Sequence, residues 1–549
     1  MYKNRSKLIF IVVCVLMLSL AVRIFYLQTY AADKLSNAAS SQRISSSVIQ
    51  KPRGNILDRN GIAFTGRNKR AMIVLKPLYL RGREDDIRKA ASILGVNFNT
   101  IRREIDVRQQ PIIFEADQYI KDRILRENIQ GISVINYMDR YGPDSLARHV
   151  VGYLNSVDKT GEAGIEKSYD ELLKYAQKNF VGIITDAKNN ALQGMGYRLV
   201  AEDTAKKVNV RLTLNYHIQK IVEEVMDSNS IKGAVVVEAV DSGDIVAISS
   251  KPDFDPDNVQ AFLNSSEKEL FNKAVASYNM GSIFKIIDAA EALEGNVGYM
   301  EEYFCGGSVK LGNRVFGCHK EEGHGWVDLK KAFAMSCNSY FIEMGIKLGH
   351  GNIIDMAKRF GLGSTTGIKA QGISESAGRL PSKTENHTKG DTANMSIGQG
   401  EVMVTPVQVA DIVATVANGG VKNKINIVDS IVDDEGNILK KVRVTESRRI
   451  IRRDTAEIIK ELMEEVITNG TGTKANLDEF GGAGGKTGSA ETGQLIDGQS
   501  VVQAWFAGYF PAKQPKYAVA VFVENGKMGN EAAAPVFRQI AEEIMKKGY

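Results

Sequence analysis

Ala276-Ser277-Tyr278-Asn279-Met280-Gly281-Ser282-Ile283-Phe284-Lys285-Ile286-Ile287-Asp288-Ala289-Ala290 is the stretch from which the chain is best read. It reads as a loop that ends at Gly281 and becomes an apolar helix. Ser282 lies in the first turn of that helix. Lys285 follows three residues on, so one helical turn places both on the same face. A serine hydroxyl is a weak nucleophile until a neighbouring base takes its proton. A lysine desolvated among Phe284, Ile286 and Ile287 can lose its own proton and become that base.

Ser-x-x-Lys alone is a weak pattern. It recurs at Ser265-Ser266-Glu267-Lys268, in a polar stretch with no apolar helix behind it, which reads as solvated surface. The rest of the chain decides which of the two carries chemistry.

The 549 residues are too many for one core, so two or more domains are expected. A net charge of +5 is small for this length, and no stripe of Lys and Arg with interleaved aromatics is present. No nucleic-acid partner is expected. Four cysteines are too few for a disulfide scaffold.

At the N-terminus, residues 1–7 carry Lys3, Arg5 and Lys7 ahead of an apolar run, 8–27, interrupted only by Arg23. That run reaches the ~20 residues a helix needs to cross a bilayer. The basic flank on its N-terminal side predicts a cytoplasmic N-terminus and an extracytoplasmic body, held at the cell membrane by a single pass. Residues 28–206 read as an elongated mixed domain, with a strand at Ile44–Ile49, an Asn60-Gly61 turn, and amphipathic helices near Arg83–Leu94 and Ile120–Ile129. From 207 to 549 a second domain is expected. A helix at Ile218–Met226 and a hairpin over Gly233–Val240 and Ile245–Ile248 open it. Strands at Ile425–Val432, Gln503–Gly508 and Tyr517–Val523 and a helix at Ala534–Met545 close it. Strands at both ends of a helical middle predict an α+β fold, one antiparallel sheet sandwiched by helices.

Two further motifs lie in that domain. Ser336-Cys337-Asn338 falls on an apolar stretch, Leu329–Leu348, that reads as helix. Gly481-Gly482-Ala483-Gly484-Gly485 runs into Lys486-Thr487-Gly488-Ser489. Glycines in a strand allow a ligand to approach the backbone closely. The lysine with two hydroxyl residues could hold a carboxylate. Lys159-Thr160-Gly161 sits in a polar turn and reads as a turn only.

Ser-x-x-Lys, Ser-x-Asn and Lys-Thr-Gly in that order, followed by Trp505-Phe506-Ala507-Gly508, resemble the penicillin-binding transpeptidase and serine β-lactamase signature. Arg53-Gly54-Asn55-Ile56-Leu57-Asp58-Arg59-Asn60-Gly61 and Gly164-Ile165-Glu166 resemble the pedestal, or dimerisation, domain of class B penicillin-binding proteins. Gly398-Gln399-Gly400 and Thr405-Pro406-Val407-Gln408 resemble their transpeptidase domain. No glycosyltransferase region precedes the pedestal, which points to the monofunctional members.

The resemblance implies a serine acyltransferase that cross-links peptidoglycan stem peptides, on lipid-linked precursors or nascent strands, and is acylated by β-lactams. Ser282 would attack the D-Ala-D-Ala carbonyl with Lys285 as base. Ser336 would relay a proton to the leaving amine, and Asn338 would hold a substrate amide. Lys486, Thr487, Gly488 and Ser489 would line the substrate-binding strand. Acyl transfer of this kind needs no cofactor. A membrane glycosyltransferase is the implied partner. The alternatives within this resemblance are a D,D-carboxypeptidase and a β-lactam-binding sensor or structural component of a cell-wall synthesis complex.

Two features depart from the pattern. Met280 stands where the family usually has proline. Asp288 lies in an otherwise apolar stretch, where a carboxylate is costly unless paired. Cys305, Cys318 and His324, with Asp288 as fourth ligand, could form a structural zinc site, and His319 is the alternative histidine. A Cys305–Cys318 disulfide or free thiols are the competing readings. Cys337 reads as packing.

Overall fold

The computed structural model describes residues 2–29, 44–50, 53–174, 178–184, 197–202, 207–295, 302–383, 387–496, 499–526 and 528–549. The chain forms two compact units. The first comprises Met1–Arg53, Asn68–Asp139 and Ala176–Ala205, and the second Gly54–Arg67, Arg140–Tyr175 and Lys206–Tyr549.

In the first unit the N-terminal helix spans Tyr2–Thr29. Its segment Phe10–Thr29, with a mean hydropathy of 2.6, is long and apolar enough to cross a membrane. A three-stranded antiparallel sheet has Asn68–Leu75 at its centre, flanked by Ile112–Ala116 and Ile132–Asp139. Helices Glu84–Leu94, Phe98–Val107 and Gln118–Glu127 bury Ile87, Ile101, Ile105 and Ile124 in one core with Ile73 and Leu75 of the central strand. Their ends follow from sequence. Asn97 caps the second helix by accepting from the Asn99 and Thr100 N–H groups, and Asp117 caps the third through Ile120 N–H. A second antiparallel sheet pairs Ile44–Gln50 with Lys178–Ile184 and that strand with Tyr197–Glu202.

The second unit is built on a five-stranded antiparallel sheet in the order Ile245–Lys251, Gly233–Ala239, Tyr517–Gly526, Gln499–Phe510, Gly484–Ile496. Successive side chains on these strands face opposite sides. Val235, Val237, Val519, Val521 and Phe506 pack against Ile218 and Val222 of helix Tyr216–Ser228 and Phe537 and Ile540 of helix Ala534–Lys546. Ala234, Val236, Ala520, Phe522 and Trp505 face the opposite way, in a core shared with helices Lys285–Glu294, Asn338–Leu348, Pro406–Ala417 and Arg453–Thr468. Both faces are covered, which is why the two central strands read as unbroken apolar runs rather than alternating ones.

One expectation is corrected here. The strand expected at Ile425–Val432 forms as Val428–Asp433, but it does not join the main sheet. It belongs to a separate four-stranded sheet in the order Ile438–Lys441, Val428–Asp433, Val208–Leu212, Ile56–Leu57. The last two strands pair in parallel, Ile56 opposite Val210. That pairing also carries a segment from before residue 207 into the second unit. Gly54–Arg67 is drawn into the second unit, where Ile56 and Phe64 share the core with Ile165, Leu173, Val210 and Leu212. A two-residue strand with a partner more than 150 residues away leaves no periodic signal. The Asn60-Gly61 turn forms where expected, and the Asp58 carboxylate accepts the Asn60 and Ile62 N–H groups across it.

Candidate active site

The turn at Gly281 is where the two ends of the domain meet. Gly281 has φ +56, a left-handed conformation, and a Cβ there would stand 2.4 Å from the Ser489 carbonyl oxygen. Only glycine satisfies both constraints. Its N–H donates to Gly398 O at 3.0 Å. The Asn279 amide nitrogen donates to Gly400 O and Val402 O at 3.0 and 2.7 Å, and Trp505 Nε1 donates to Asn279 O at 2.9 Å. Gly398-Gln399-Gly400 is thus a clamp on the Ser282 turn, and Met280, the residue in place of proline, is fully buried within it. Gly281→Ala is expected to slow acylation about tenfold or more and to lower Tm by a few degrees, since the left-handed backbone alone costs an L-residue about 1–2 kcal/mol. Stopped-flow acylation with a chromogenic β-lactam and a thermal melt measure both.

From Gly281 the chain makes one 3₁₀ turn, Gly281–Phe284, and then helix Lys285–Glu294. Lys285 is fully buried. Its Nζ donates to Ser336 O at 2.8 Å, to Ser336 Oγ at 3.2 Å and to Asn338 Oδ1 at 2.8 Å. Burial pushes its pKa down to about 8. Lys486, also fully buried, donates from Nζ to the same Ser336 Oγ at 3.0 Å and to Thr487 O at 3.3 Å. Burial first, and the nearby Lys285 second, hold it well below the usual lysine range. Two amines therefore converge on one hydroxyl, and one of them, Lys285, follows Ser282 by three residues in the same turn.

The expected helix over Leu329–Leu348 is in fact two, Leu329–Ala334 and Asn338–Leu348, and the Ser336-Cys337-Asn338 motif occupies the break. Ser336 has φ +55. A non-glycine residue held there costs on the order of 1–3 kcal/mol, so the surroundings must enforce it. They do: Ser336 N–H donates to Phe333 O, Cys337 N–H to Ala332 O, and two lysines hold the side chain.

Thr487 Oγ1 lies 2.7 Å from Thr471 Oγ1, a contact with no motif to announce it. The Ser489 hydroxyl accepts from Gly529 N–H at 3.1 Å, while its backbone lies against Gly281. The Gly484 and Gly485 positions have a different reason from the close ligand approach expected of them. A Cβ on Gly484 would stand 2.4 Å from the Tyr509 ring, and one on Gly485 2.5 Å from the Phe506 ring. They admit aromatic rings from the neighbouring strand. The two decoys stay outside. Ser265 Oγ donates to Glu269, and Lys159 is exposed just after the turn at 156–158.

Residues 233–542 match the family model described as the penicillin binding protein transpeptidase domain, and residues 48–195 match the penicillin-binding protein dimerisation domain. The chain belongs to the penicillin-binding protein transpeptidases. Stage V sporulation protein D of Bacillus subtilis is 28% identical over 98% of this chain and 85% of its own length. The peptidoglycan D,D-transpeptidase MrdA of Acinetobacter baumannii is 28% identical over 97% of this chain and 87% of its own. The peptidoglycan D,D-transpeptidase PbpA of Mycobacterium tuberculosis is 31% identical over 62% and 72%. A solved chain from a peptidoglycan synthase complex that coordinates polymerization and crosslinking has the same fold, with a TM-score of 0.72 at 23% identity over 98% of both chains.

Beside its lysine centre this penicillin-binding transpeptidase carries a cysteine-rich knuckle. It is made of two small strand pairs, Tyr303–Cys305 with Gly325–Val327 and Ser308–Leu311 with Arg314–Gly317. Cys305, Cys318, His324 and Cys337 present four donor atoms within 4.8 Å of one another. The His324 Nδ1 is 3.6 Å from Cys305 Sγ and 3.5 Å from Cys318 Sγ, and the Cys318 and Cys337 sulfurs are 4.0 Å apart. Tetrahedral zinc with bonds of about 2.3 Å to sulfur and 2.0 Å to nitrogen requires edges of about 3.5–3.8 Å, so this donor set fits the ion. All four cysteines of the chain are free thiols, with no Cys305–Cys318 bridge.

Asp288 is not in the group. The expectation that it supplies the fourth ligand is corrected: the fourth donor atom of the group is the Sγ of Cys337, a residue read as packing. Asp288 is instead fully buried, with both carboxylate oxygens unpartnered among the described residues, and burial holds its pKa well above the carboxylate range. His319 stacks at a tilt on His324, with ring centres 4.9 Å apart, and is likewise outside the group.

Proposed function

We propose that Ser282 is the acylated residue of a peptidoglycan D,D-transpeptidase, working through the two-lysine centre on Ser336. The convergence of Lys285 and Lys486 on Ser336 Oγ carries this reading. Lys285, as free amine, takes the Ser282 proton while Oγ attacks the penultimate D-Ala carbonyl of a stem peptide. Backbone N–H groups of Ser282 and Ser489 receive the developing oxyanion, each worth about 3 kcal/mol. The packing of the Gly281 turn on the Ser489 backbone supports that pairing. Ser336, fed from Lys486, passes a proton to the leaving amine, and terminal D-Ala departs. Asn338 holds the substrate amide, and Lys486, Thr487, Gly488 and Ser489 form the strand along which the terminal carboxylate lies. An amine from a neighbouring stem then takes the acyl group. Protein groups alone perform this transfer. β-Lactams acylate the same serine.

The 8–27 run anchors the chain with residues 1–7 in the cytoplasm and the pedestal and catalytic domain (28–206 and 207–549 by sequence) outside. The partner is a membrane polymerase that supplies nascent glycan. Purified protein supplied with nascent peptidoglycan tests the reaction: cross-linked stems supply the expected result, and release of free D-Ala without cross-links would convert the assignment to a carboxypeptidase.

The knuckle holds one Zn²⁺ through Cys305, Cys318, His324 and Cys337. The ion would supply structural closure, not acyl chemistry. Its place is consequential because Cys337 lies between Ser336 and Asn338. Metal analysis is expected to find about one zinc per chain and less in Cys337→Ser; absence of zinc from the unmutated protein ends this reading.

A further inference from the structure

The second unit holds a cleft that the acyl-transfer chemistry does not use. It opens where helices Arg148–Val151 and Gly164–Ser168 meet the loop after strand Ile245–Lys251 and the 3₁₀ turn Ile368–Gln371. Its volume is about 480 Å³, within the ~300–1,000 Å³ of ligand pockets and far more than a single amino acid fills. These segments are tied together. The Ser168 hydroxyl donates to Gly372 O at 2.8 Å, and a Cβ on Gly152 would stand 1.9 Å from the Ala163 carbonyl oxygen. One wall is aromatic: the buried Phe254 ring sits edge-on to Tyr153 and His149, with ring centres 5.6 and 5.1 Å away. Burial pushes the His149 pKa down to about 4, so this ring is neutral at pH 7. Arg148 is engaged within the wall, by Asp253 and by the carbonyls of Pro143, Ser145 and Phe254. Lys167 and Lys369 are different. They line the cleft from two separate segments, both are exposed, and neither forms an ion pair among the described residues. Glu162, exposed and accepting only from Asn155 Nδ2, is the acidic residue among the described ones that line it. The cleft thus offers two free cations and one carboxylate beside an apolar wall.

We propose that this cleft binds a second peptidoglycan stem peptide, held apart from the one being acylated. The identity of the peptide rests on the transpeptidase reading of the active site. A stem that serves as acyl acceptor carries a free amine and carboxylates on a backbone of a few residues. That charge pattern is the complement of the cleft. Lys167 and Lys369 receive carboxylates, Glu162 receives the amine, and the Tyr153–Phe254 wall covers the apolar part of the peptide. Chain connectivity keeps the cleft near the reaction. Asn272, which lines it, precedes Ser282 by ten residues, so their Cα atoms are at most about 36 Å apart. The chain between them is pinned: Ser376 N–H donates to Val275 O at 2.9 Å, and Tyr278 exchanges backbone hydrogen bonds with Val404. A glycan strand with one stem at Ser282 can present another to the cleft. Binding there raises the local concentration of stems at the nucleophile.

The test uses the purified full-length chain in detergent, first blocked with benzylpenicillin so that the active site takes no peptide. The probe is the tripeptide N-acetyl-L-Ala-γ-D-Glu-L-Lys, which carries carboxylates and a side-chain amine and has no D-Ala-D-Ala bond to cleave. Titration calorimetry is expected to show saturable binding of about one tripeptide per chain, weakened by added salt. The double variant Lys167→Glu, Lys369→Glu should bind about tenfold more weakly or worse while its rate of labelling by fluorescent penicillin, read on unblocked protein, stays unchanged. Glu162→Gln should weaken the tripeptide about threefold and leave the affinity of its side-chain N-acetylated form unaltered. No binding to blocked protein at millimolar tripeptide overturns the proposal, as does binding indifferent to the lysine reversals. A dimer in sedimentation that depends on Lys167 and Lys369, in place of peptide binding, also overturns it, because the cleft then faces a second copy of the chain. Mapping the penicilloyl adduct in the same sample separates this site from the active-site reading. An adduct away from Ser282 removes the assigned nucleophile, whereas tripeptide binding that follows the lysines leaves the cleft site standing.

Discussion

Replacing Ser282 with alanine is expected to abolish covalent labelling by fluorescent penicillin, lowering acylation by about 10⁴-fold or more. The loss is this large because the hydroxyl forms the bond; the remaining groups only orient and polarise. The folded state should barely notice. Ser282 is half-buried at the start of the helix, and the turn is held by Gly281, Asn279 and Trp505 rather than by the serine side chain. The variant should therefore keep its Tm and its non-covalent affinity for β-lactams while losing the covalent band. Labelling that persists would move the nucleophile elsewhere, with Ser336 the first to examine.

The second large effect concerns Lys285. Acylation is expected to rise with pH through about 8, because burial pushes the Lys285 ammonium down to about 8 and only the free amine can accept the serine proton. Two units below that value the rate should be about a hundredfold under its plateau. Lys285→Ala should lose roughly 10²–10⁴-fold and lose the rising limb with it. Lys285→Arg should fare no better, since a guanidinium stays protonated throughout. Stability follows the same group with a definite sign. The unfolded lysine titrates near 10.5 and the folded one near 8, so between these values the unfolded state binds more protons. The penalty for burying Lys285 is in full force below about 8 and disappears above the unfolded value. Replacement by methionine should therefore stabilise the protein most below pH 8. A rate independent of pH between 6 and 9 would remove Lys285 from the role of base.

The long apolar N-terminal helix, the sandwiched α+β domain and the ordered Ser282, Lys285, Ser336, Asn338, Lys486 set are all legible in the amino-acid order. Each rests on a local pattern, namely an apolar run, a period of two or near four, or a motif whose residues are neighbours in the chain. Asp288 shows where such patterns stop being sufficient. A buried carboxylate near two cysteines and a histidine in sequence reads as a ligand, but a helix residue's direction is set by what the helix packs against. Asp288 ends in the core, with its oxygens outside the donor group.

What the amino-acid order determined by itself was which groups are present and which lie one helical turn apart. Tertiary structure alone decided three other matters. It broke the Leu329–Leu348 helix at Ser336, because two buried lysines from distant segments hold that hydroxyl. It made Cys337 a neighbour of Cys318 and His324, because the knuckle folds back over the break. It sent Val428–Asp433 to a second sheet, because its partner strand is Val208–Leu212. Each depends on a contact between residues far apart in the chain, and the free energy of such a contact has no local periodicity through which to announce itself.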